Sequence, residues 1–229
     1  MDLFEALYTT RAMRRMKPDP IPSDVQSSIL DAAIRAPSGG NVQAWRFLLL
    51  DDGNTIAELG KLYRDAFRQL KETRYVAVLA AIEKDPNDPE FAQDAKMLKS
   101  GGYLADHFEE IPLLMFSFMK EGGSVLSLAP AIWSSMLAAR GHGVGSALTN
   151  LLTTFHPKET ASLLGVPEGW INPCAVAFGY PKGRWGIAQR KPAGEVAYRN
   201  SWGNPAGLAD GPLWAPQVVE LEPSGPAST

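Results

Sequence analysis

Arginine residues lie near both ends of this sequence, at positions that together could bind one phosphate group. Arg11 and Arg15 belong to the basic cluster of residues 11–15, and Arg190 follows far along the chain. Arginine keeps its charge at ordinary pH and offers paired N–H donors that match a phosphate monoester. A fold that joins these side chains would form a phosphate clamp. For Arg14 and Arg15, the alternative is a solvated surface pair, because charged side chains are mostly exposed.

A second cluster, residues 37–45, combines small residues with amide side chains. It reads Pro37-Ser38-Gly39-Gly40-Asn41-Val42-Gln43-Ala44-Trp45. Amide groups both donate and accept hydrogen bonds, so they suit the polar edge of a planar ring. Serine and glycine after a proline are also common in turns, which leaves an ordinary helix-stopping loop as the alternative. We favour the binding role because an Asn and a Gln both come directly before a strand that begins Ala-Trp.

Three further segments complete the pattern. They are residues 127–133 at a helix entry, the glycine-containing stretch 143–151, and residues 179–186, which lead to Arg190-Lys191-Pro192. Two glycines at 143 and 145 alone indicate little, because the remaining glycine and the βαβ unit of a dinucleotide fold are missing. With all clusters in this order and spacing, the chain resembles the FMN-dependent nitroreductase family across about residues 1–203.

The resemblance implies a fold and a cofactor site. The fold is α+β, with three layers in which a central, mostly antiparallel sheet is flanked by helices, in an intertwined homodimer with FMN at the subunit interface. Residues 37–43 would act partly on the neighbouring subunit's flavin, and a backbone N–H within 148–150 would face flavin N5. The implied cofactor-binding residues are Arg11, Ala12, Met13, Arg15, Pro37, Ser38, Gly39, Asn41, Gln43, Leu148, Thr149, Asn150, Arg184 and Arg190.

The chain departs from the family pattern at a few positions. Ala12 replaces a residue that is often polar, so that its contacts would be made by the backbone. Ala44 stands where the family usually has proline. Residues 149–151 read Thr-Asn-Leu, where many relatives have glycine or glutamate. The resemblance therefore implies different electrostatics near N5 in this chain.

The resemblance also implies an NAD(P)H-dependent oxidoreductase. Hydride would pass from NAD(P)H to FMN, and a nitroaromatic, a quinone or a similar electron-poor acceptor would then take the electrons in a ping-pong cycle. The flavin would do the chemistry, so no catalytic side chain is predicted. The three histidines lack partners at metal-ligand spacing, and no metal is expected. Cys174 lies in an apolar run and is expected to be a core thiol.

Other functions remain open. Residues 195–203 also look like the close of flavin oxidases that desaturate cyclic dipeptides, which would ignore NAD(P)H. Residues 84–103 could be a lid insertion, as in flavin-destroying and dehalogenating members of the family. A non-catalytic protein that binds or stores flavin is a third possibility. If the arginines are only surface charge, the chain binds no cofactor.

The elements that must position these clusters follow from apolar periodicity and from turn residues. Pro18, Pro20 and Pro22 form an extended connector, after which Ser23-Asp24 caps a helix that Pro37 stops. The run 75–82 fits either a helix or a strand. The remaining pattern predicts helices over 1–8, 23–36, 55–70, 89–107, 129–140 and 157–164, and strands over 44–50, 111–119 and 173–180.

Composition limits the class of protein. At 229 residues, one domain over 1–203 with a tail over 204–229 suffices, and Leu213, Trp214, Val218, Val219 and Leu221 would anchor that tail. A net charge of −3 gives no reason to expect nucleic acid or an acidic membrane as a partner. The start lacks the layout of a secretory signal, and the longest apolar run, 111–119, has about half the length of a membrane span. A soluble, cytoplasmic protein is expected.

Overall fold

The computed structural model describes residues 1–215. Within this range the chain forms two compact units. The sheet unit comprises residues 10–185, and the terminal unit combines residues 1–9 with the described residues from 186 onward. The predicted division into one domain over 1–203 and a tail stays a prediction.

Helices and strands alternate along the chain. The terminal unit holds α1 (Leu3–Thr9) and α9 (Ala193–Val196). The sheet unit holds, in order, α2 (Ser23–Ile34), β1 (Trp45–Leu50), α3 (Gly53–Arg74), α4 (Val76–Lys84), α5 (Ala92–Asp106), β2 (Leu113–Lys120), α6 (Val125–Gly141), β3 (Gly145–Thr149), α7 (Leu151–Phe155), α8 (Pro157–Leu163) and β4 (Trp170–Gly179).

The four strands form one antiparallel sheet in the order β1-β2-β4-β3. Strand β2 lies at the centre, where Phe116 pairs with Leu48 on one side and Ala175 on the other. Successive side chains of a strand point to opposite faces. Leu114 of β2 accordingly packs into one core cluster and its neighbour Leu113 into another. Burial on both faces explains why β2 reads as a continuous apolar run.

Helices cover both faces and make three layers. Helices α3 and α5 pack on one face, where Ile56, Leu59, Leu104 and Phe108 are buried. Helices α2 and α6 pack on the other, with Ile29, Ala33, Leu128 and Ile132. The predicted α+β three-layer fold is therefore confirmed. Among residues 1–215, every helix is too short or too polar to cross a membrane.

The predicted strands and most of the helices are present, with several corrections. The Ser23-Asp24 cap is wrong, because Pro22 precedes the first turn of α2 and no side chain caps it. Helix α6 begins at Val125 instead of residue 129, since Ser124 caps it by accepting the Leu126 N–H at 3.2 Å. Residues 76–84 form a helix. The sequence pattern did not predict strand β3 and helix α7, because each spans only five residues.

The terminal unit is small. Its chain doubles back where Tyr198 pairs with Pro205, and the guanidinium of Arg199 donates to the Ala206 carbonyl at 2.9 Å and 3.1 Å. The Tyr8 ring lies 5.3 Å from that of Trp214, which makes Trp214 an anchor of the tail. Among the other predicted anchors, Leu213 is exposed. Val218, Val219 and Leu221 lie outside the described residues.

Candidate functional site

Residues 11–17 run as an extended segment along one edge of the sheet. Ala12 forms a parallel bridge with Ser146 of β3, and the Met13 N–H donates to the Ser146 carbonyl at 2.9 Å. Further on, the Lys17 N–H donates to the Tyr180 carbonyl at 2.8 Å. The segment therefore runs from β3 to the residues that follow β4, and hydrogen bonds fix the backbone that carries the basic cluster.

Two glycines allow this segment to approach the sheet. A Cβ atom at Gly145 would lie 2.9 Å from the Cβ of Met13, and one at Gly179 would lie 2.8 Å from the Cβ of Met16. Both distances are shorter than van der Waals contact. Met13 and Met16 are buried, so their side chains anchor the segment while its arginines stay near the surface.

The arginines of this segment point to different neighbours. The Arg11 side chain is exposed and donates to the Arg184 carbonyl at 3.3 Å. Arg14 reaches Ser100 of α5 at 3.4 Å. Arg15 stacks with its guanidinium carbon 4.8 Å from the centre of the Tyr103 ring. Arg14 and Arg15 therefore both contact α5, whereas Arg11 lies at the exposed start of the segment.

Strand β3 ends in an exposed turn. The Leu148 side chain is 46% exposed although it is apolar, and Asn150 is exposed as well. Ala12 pairs with Ser146, two residues before Leu148 in the same strand. The predicted residues Arg11, Ala12 and Met13 therefore share one edge with the predicted residues 148–150.

Thr149 is fixed from inside the sheet unit. Its hydroxyl lies 3.1 Å from the hydroxyl of Tyr63, which is buried on α3, and it accepts the Leu151 N–H at 3.4 Å. Burial raises the pKa of the Tyr63 phenol, although the hydrogen bond to Thr149 and the charge of Arg14 act in the opposite direction. The phenol therefore stays protonated at ordinary pH.

The predicted loop after Pro37 has an unusual backbone. Asn41 and Gln43 have φ angles of 54° and 52°, in the left-handed region that non-glycine residues seldom adopt. The Ser38 hydroxyl accepts the Gln43 N–H at 3.2 Å, and the Gln43 amide donates to the Asn41 side chain at 3.0 Å. Strained, exposed polar residues of this kind are frequent at binding sites.

The loop sits at the start of α6, where the Gly39 N–H donates to the Ser127 hydroxyl at 3.2 Å. Strand β3 runs back along α6, so the loop and the end of β3 share one end of the sheet unit. In the chain up to residue 215, however, no hydrogen bond joins the loop to the arginine edge. The structure thus forms two patches of predicted site residues.

The remaining two predicted arginines differ in position. Arg184 contributes its carbonyl to Arg11 within the sheet unit. Arg190 belongs to the terminal unit, where it donates to the Gln189 carbonyl at 2.8 Å and lines a cavity of about 940 Å³ with Leu7, Ile187 and Leu208. A joint role of Arg190 and Arg11 stays a prediction.

Other ionisable groups have structural roles. The predicted core thiol Cys174 is buried, and burial raises its pKa to about 11. His156 hydrogen-bonds Asp65 at 2.8 Å, and His107 contacts the Tyr103 carbonyl at 2.9 Å. Over residues 1–215, no three His, Cys, Asp or Glu side chains come together in a group that could hold a metal ion.

Sequence reasoning missed two residues of this edge. Arg14 looked like part of a solvated pair, and only the structure shows that its charge acts on the Tyr63 phenol behind Thr149. Tyr63 looked like any apolar position on the inner face of a helix. No sequence signal distinguishes it, because its partner Thr149 is distant in the chain.

The donor chemistry of this edge fits a phosphate-bearing flavin. The guanidinium groups of Arg11 and Arg14 carry donors that suit an anion, and the partly exposed turn at 148–150 carries backbone groups and a Thr hydroxyl that suit a polar ring. Residues 7–180 match the model of the Nitroreductase family. The chain belongs to the nitroreductase family. This confirms the resemblance and, with it, the predictions of an NAD(P)H-dependent oxidoreductase and of FMN as cofactor.

Known relatives and structures agree with this membership. A NADH dehydrogenase of Thermus thermophilus is 28% identical over 193 residues, which cover 79% of this chain and 87% of the relative. A 5,6-dimethylbenzimidazole synthase of Rhodospirillum rubrum is 30% identical over 197 residues, or 79% and 83% of the two chains. The solved structure of an FMN-bound nitroreductase from Bacteroides fragilis has a TM-score of 0.61 at 23% identity and covers 87% of this chain and 99% of its own, which shows the shared fold.

Proposed function

We propose that this nitroreductase-family chain binds FMN along the edge formed by residues 11–14 and 148–150. The observation that carries the proposal is the parallel bridge between Ala12 and Ser146, because it brings two predicted groups of site residues together. Arg11 and Arg14 would hold the phosphate. The turn at Leu148–Asn150 would face the flavin ring through its backbone and the Thr149 hydroxyl.

The predicted ping-pong cycle is part of this proposal. When bound, FMN accepts two electrons from NAD(P)H and passes them to an electron-poor acceptor such as a nitroaromatic or a quinone. The protein supplies position and hydrogen bonds. The exposed Leu148 supports an open site that admits donor and acceptor one after the other.

We also propose the predicted homodimer. The outer face of α6 carries an apolar stripe of Leu126, Ala129, Trp133 and Leu137, at spacings that place them on one side of a helix. Leu126 is 80% exposed and Trp133 is 40% exposed. A second copy packed on this stripe would bury it and set each loop at 37–43 near the partner's flavin. The cytoplasmic location stays a prediction.

The test is spectroscopic. Purified protein loaded with FMN is mixed anaerobically with NADH or with NADPH, and bleaching of the flavin band is followed. We expect rapid bleaching by at least one donor and recovery of the band when a nitroaromatic or a quinone is added. A flavin that neither donor bleaches would contradict the reductase and favour an oxidase or a storage protein. Failure to take up FMN would contradict the whole proposal.

The relative from Rhodospirillum rubrum supports a second candidate function. It is 30% identical and is named as a synthase of 5,6-dimethylbenzimidazole. This agrees with the flavin-destroying alternative that residues 84–103 suggested. Aerobic incubation with FMN and NADPH, followed by liquid chromatography with mass detection, distinguishes the two functions. Release of 5,6-dimethylbenzimidazole with loss of flavin would identify the synthase, whereas intact flavin after many turnovers would identify the reductase.

A further inference from the structure

A buried tyrosine lies directly behind the proposed flavin edge. Tyr63 projects from the inner face of α3 and is only 3% exposed. Its ring stacks on Phe108, which is fully buried, with 4.5 Å between ring centres and 30° between planes. Burial and the stacking on Phe108 hold the ring, and the phenol oxygen lies 3.1 Å from the Thr149 hydroxyl.

Thr149 holds the end of β3 and the start of α7 together. Its hydroxyl oxygen accepts the Leu151 N–H at 3.4 Å, and the same oxygen lies 3.1 Å from the Tyr63 phenol oxygen. A threonine hydroxyl has one proton and two lone pairs. If the phenol donates its proton to this oxygen, both lone pairs are used and the Thr149 proton is available to a group outside.

The surroundings favour that direction of donation. Burial of Tyr63 disfavours its ionised form, so that the phenol keeps a proton to give at ordinary pH. A buried phenol that loses its partner is left unsatisfied, which is unfavourable. Thr149 itself is partly exposed, and we expect a proton that its hydroxyl directs away from Tyr63 to reach the proposed edge.

We propose that Tyr63 is a positioning residue of the flavin site, acting by fixing the Thr149 hydroxyl as a donor toward the flavin. The role rests on the proposed FMN site at residues 11–14 and 148–150. Tyr63 does not touch the cofactor in this arrangement. It sets the orientation of one hydroxyl and the geometry of the turn from β3 to α7.

The test substitutes Tyr63→Phe, which keeps the ring on Phe108 and removes only the phenol oxygen. Apoprotein is titrated with FMN by quenching of flavin fluorescence, and the absorption spectrum of the bound flavin is recorded. We expect the dissociation constant to rise about fivefold, as for loss of one neutral hydrogen bond, with a shifted flavin band. Tyr75→Phe, also at a tyrosine packed against the same core, is the matched control and should bind FMN like the wild type.

A double-mutant cycle separates positioning from general packing. Thr149→Val removes the hydroxyl, and Thr149→Ser keeps it. If Tyr63 acts through Thr149, Tyr63→Phe will change FMN affinity in the wild type and the Thr149→Ser variant but not in the Thr149→Val variant. Equal effects of Tyr63→Phe in all three backgrounds would overturn the role, as would unchanged affinity and spectrum in Tyr63→Phe itself.

The same titration separates this role from the proposed function. Wild-type protein that fails to bind FMN would remove the proposed site and the role of Tyr63 with it. Wild-type protein that binds FMN, together with a Tyr63→Phe variant indistinguishable from it, would remove only the role of Tyr63. The thermal midpoint of each apoprotein, measured in parallel, shows whether a variant is folded.

Discussion

At the scale of single residues, the arginines of residues 11–15 differ in the groups that surround their side chains. Sequence assigned the phosphate to Arg11, Arg15 and Arg190, but Arg15 stacks on Tyr103. The charge of Arg14 instead acts on Tyr63, whose phenol lies 3.1 Å from the Thr149 hydroxyl at the end of β3. We expect Arg14→Gln to weaken FMN binding about 10- to 100-fold, the range for a charge-assisted hydrogen bond, and Arg15→Gln to weaken it much less. Calorimetric titration with FMN and with riboflavin measures this.

Riboflavin is the internal control because it lacks the phosphate. Arg14→Gln should leave riboflavin binding nearly unchanged if the guanidinium contacts the phosphate. If Arg15→Gln lost more affinity for FMN than Arg14→Gln, Arg15 would be the phosphate ligand, as the sequence predicted, and Arg14 would not.

The Cys174 thiol makes the free energy of unfolding depend on pH in the alkaline range. Its thiol is buried in β4, and burial raises its pKa from 9.0 to about 11. Below pH 9 both folded and unfolded chains keep the proton. Between pH 9 and 11 only the unfolded chain loses it, so the free energy of unfolding falls as pH rises, by up to about 3 kcal/mol. Urea unfolding of the wild type and of Cys174→Ala at pH 8 and pH 11 measures this.

The alanine variant removes the thiol, so its stability should fall less over the same interval. The difference between the two falls is the contribution of Cys174, because other groups titrate equally in both proteins. If the free energy of unfolding fell equally in the two proteins, the thiol would be hydrated in the folded state.

At the scale of elements, the position of the edge segment depends on glycine at the ends of β3 and β4. A methyl group at Gly179 would lie 2.8 Å from the Met16 Cβ, an atom too close to the backbone to rotate away. We expect Gly179→Ala to push residues 15–17 off the sheet, to destabilise the fold by about 1–3 kcal/mol and to reduce FMN occupancy. Thermal unfolding and the ratio of flavin to protein absorbance check this.

Gly183→Ala is the matched control. Gly183 follows β4 in the same basic segment, but a Cβ there meets no atom within 4 Å. Its FMN occupancy should equal that of the wild type. Equal behaviour of the two variants would mean that the segment tolerates displacement and does not position the arginines.

The same elements show what sequence could and could not predict. Strands β1, β2 and β4 carry long apolar runs between turn residues, and these patterns predicted them. Strand β3 is short and half exposed at its end, so its pattern is weak. The contact between Tyr63 and Thr149 joins residues far apart in the chain, and hydrophobic periodicity carries no information about such a pairing. The clusters of site residues were recognisable, but their division into two patches depends on tertiary packing.

At the scale of the whole molecule, the exposed apolar side chains indicate that this protein binds a partner. The stripe on α6 and the terminal unit both expose large side chains, among them Leu126, Trp133 and Trp202. An exposed apolar stripe such as that on α6 is typical of an interaction site. The terminal unit is also too short to build a large core of its own. A second copy of this chain would bury the stripe and bring the strained loop at Asn41 and Gln43 to a flavin.

Trp133→Glu tests this arrangement. The side chain points away from the core, so a charge there should leave the protomer folded and disfavour the buried interface. Sedimentation velocity should show a dimer for the wild type and a monomer for Trp133→Glu. Leu163→Glu, at a similarly exposed leucine on α8, should remain dimeric. In the proposed homodimer each site needs both chains, so FMN occupancy should fall together with dimerisation. A Trp133→Glu monomer that keeps all of its FMN would show that one chain holds the flavin alone, and the loop at 37–43 would then need another role.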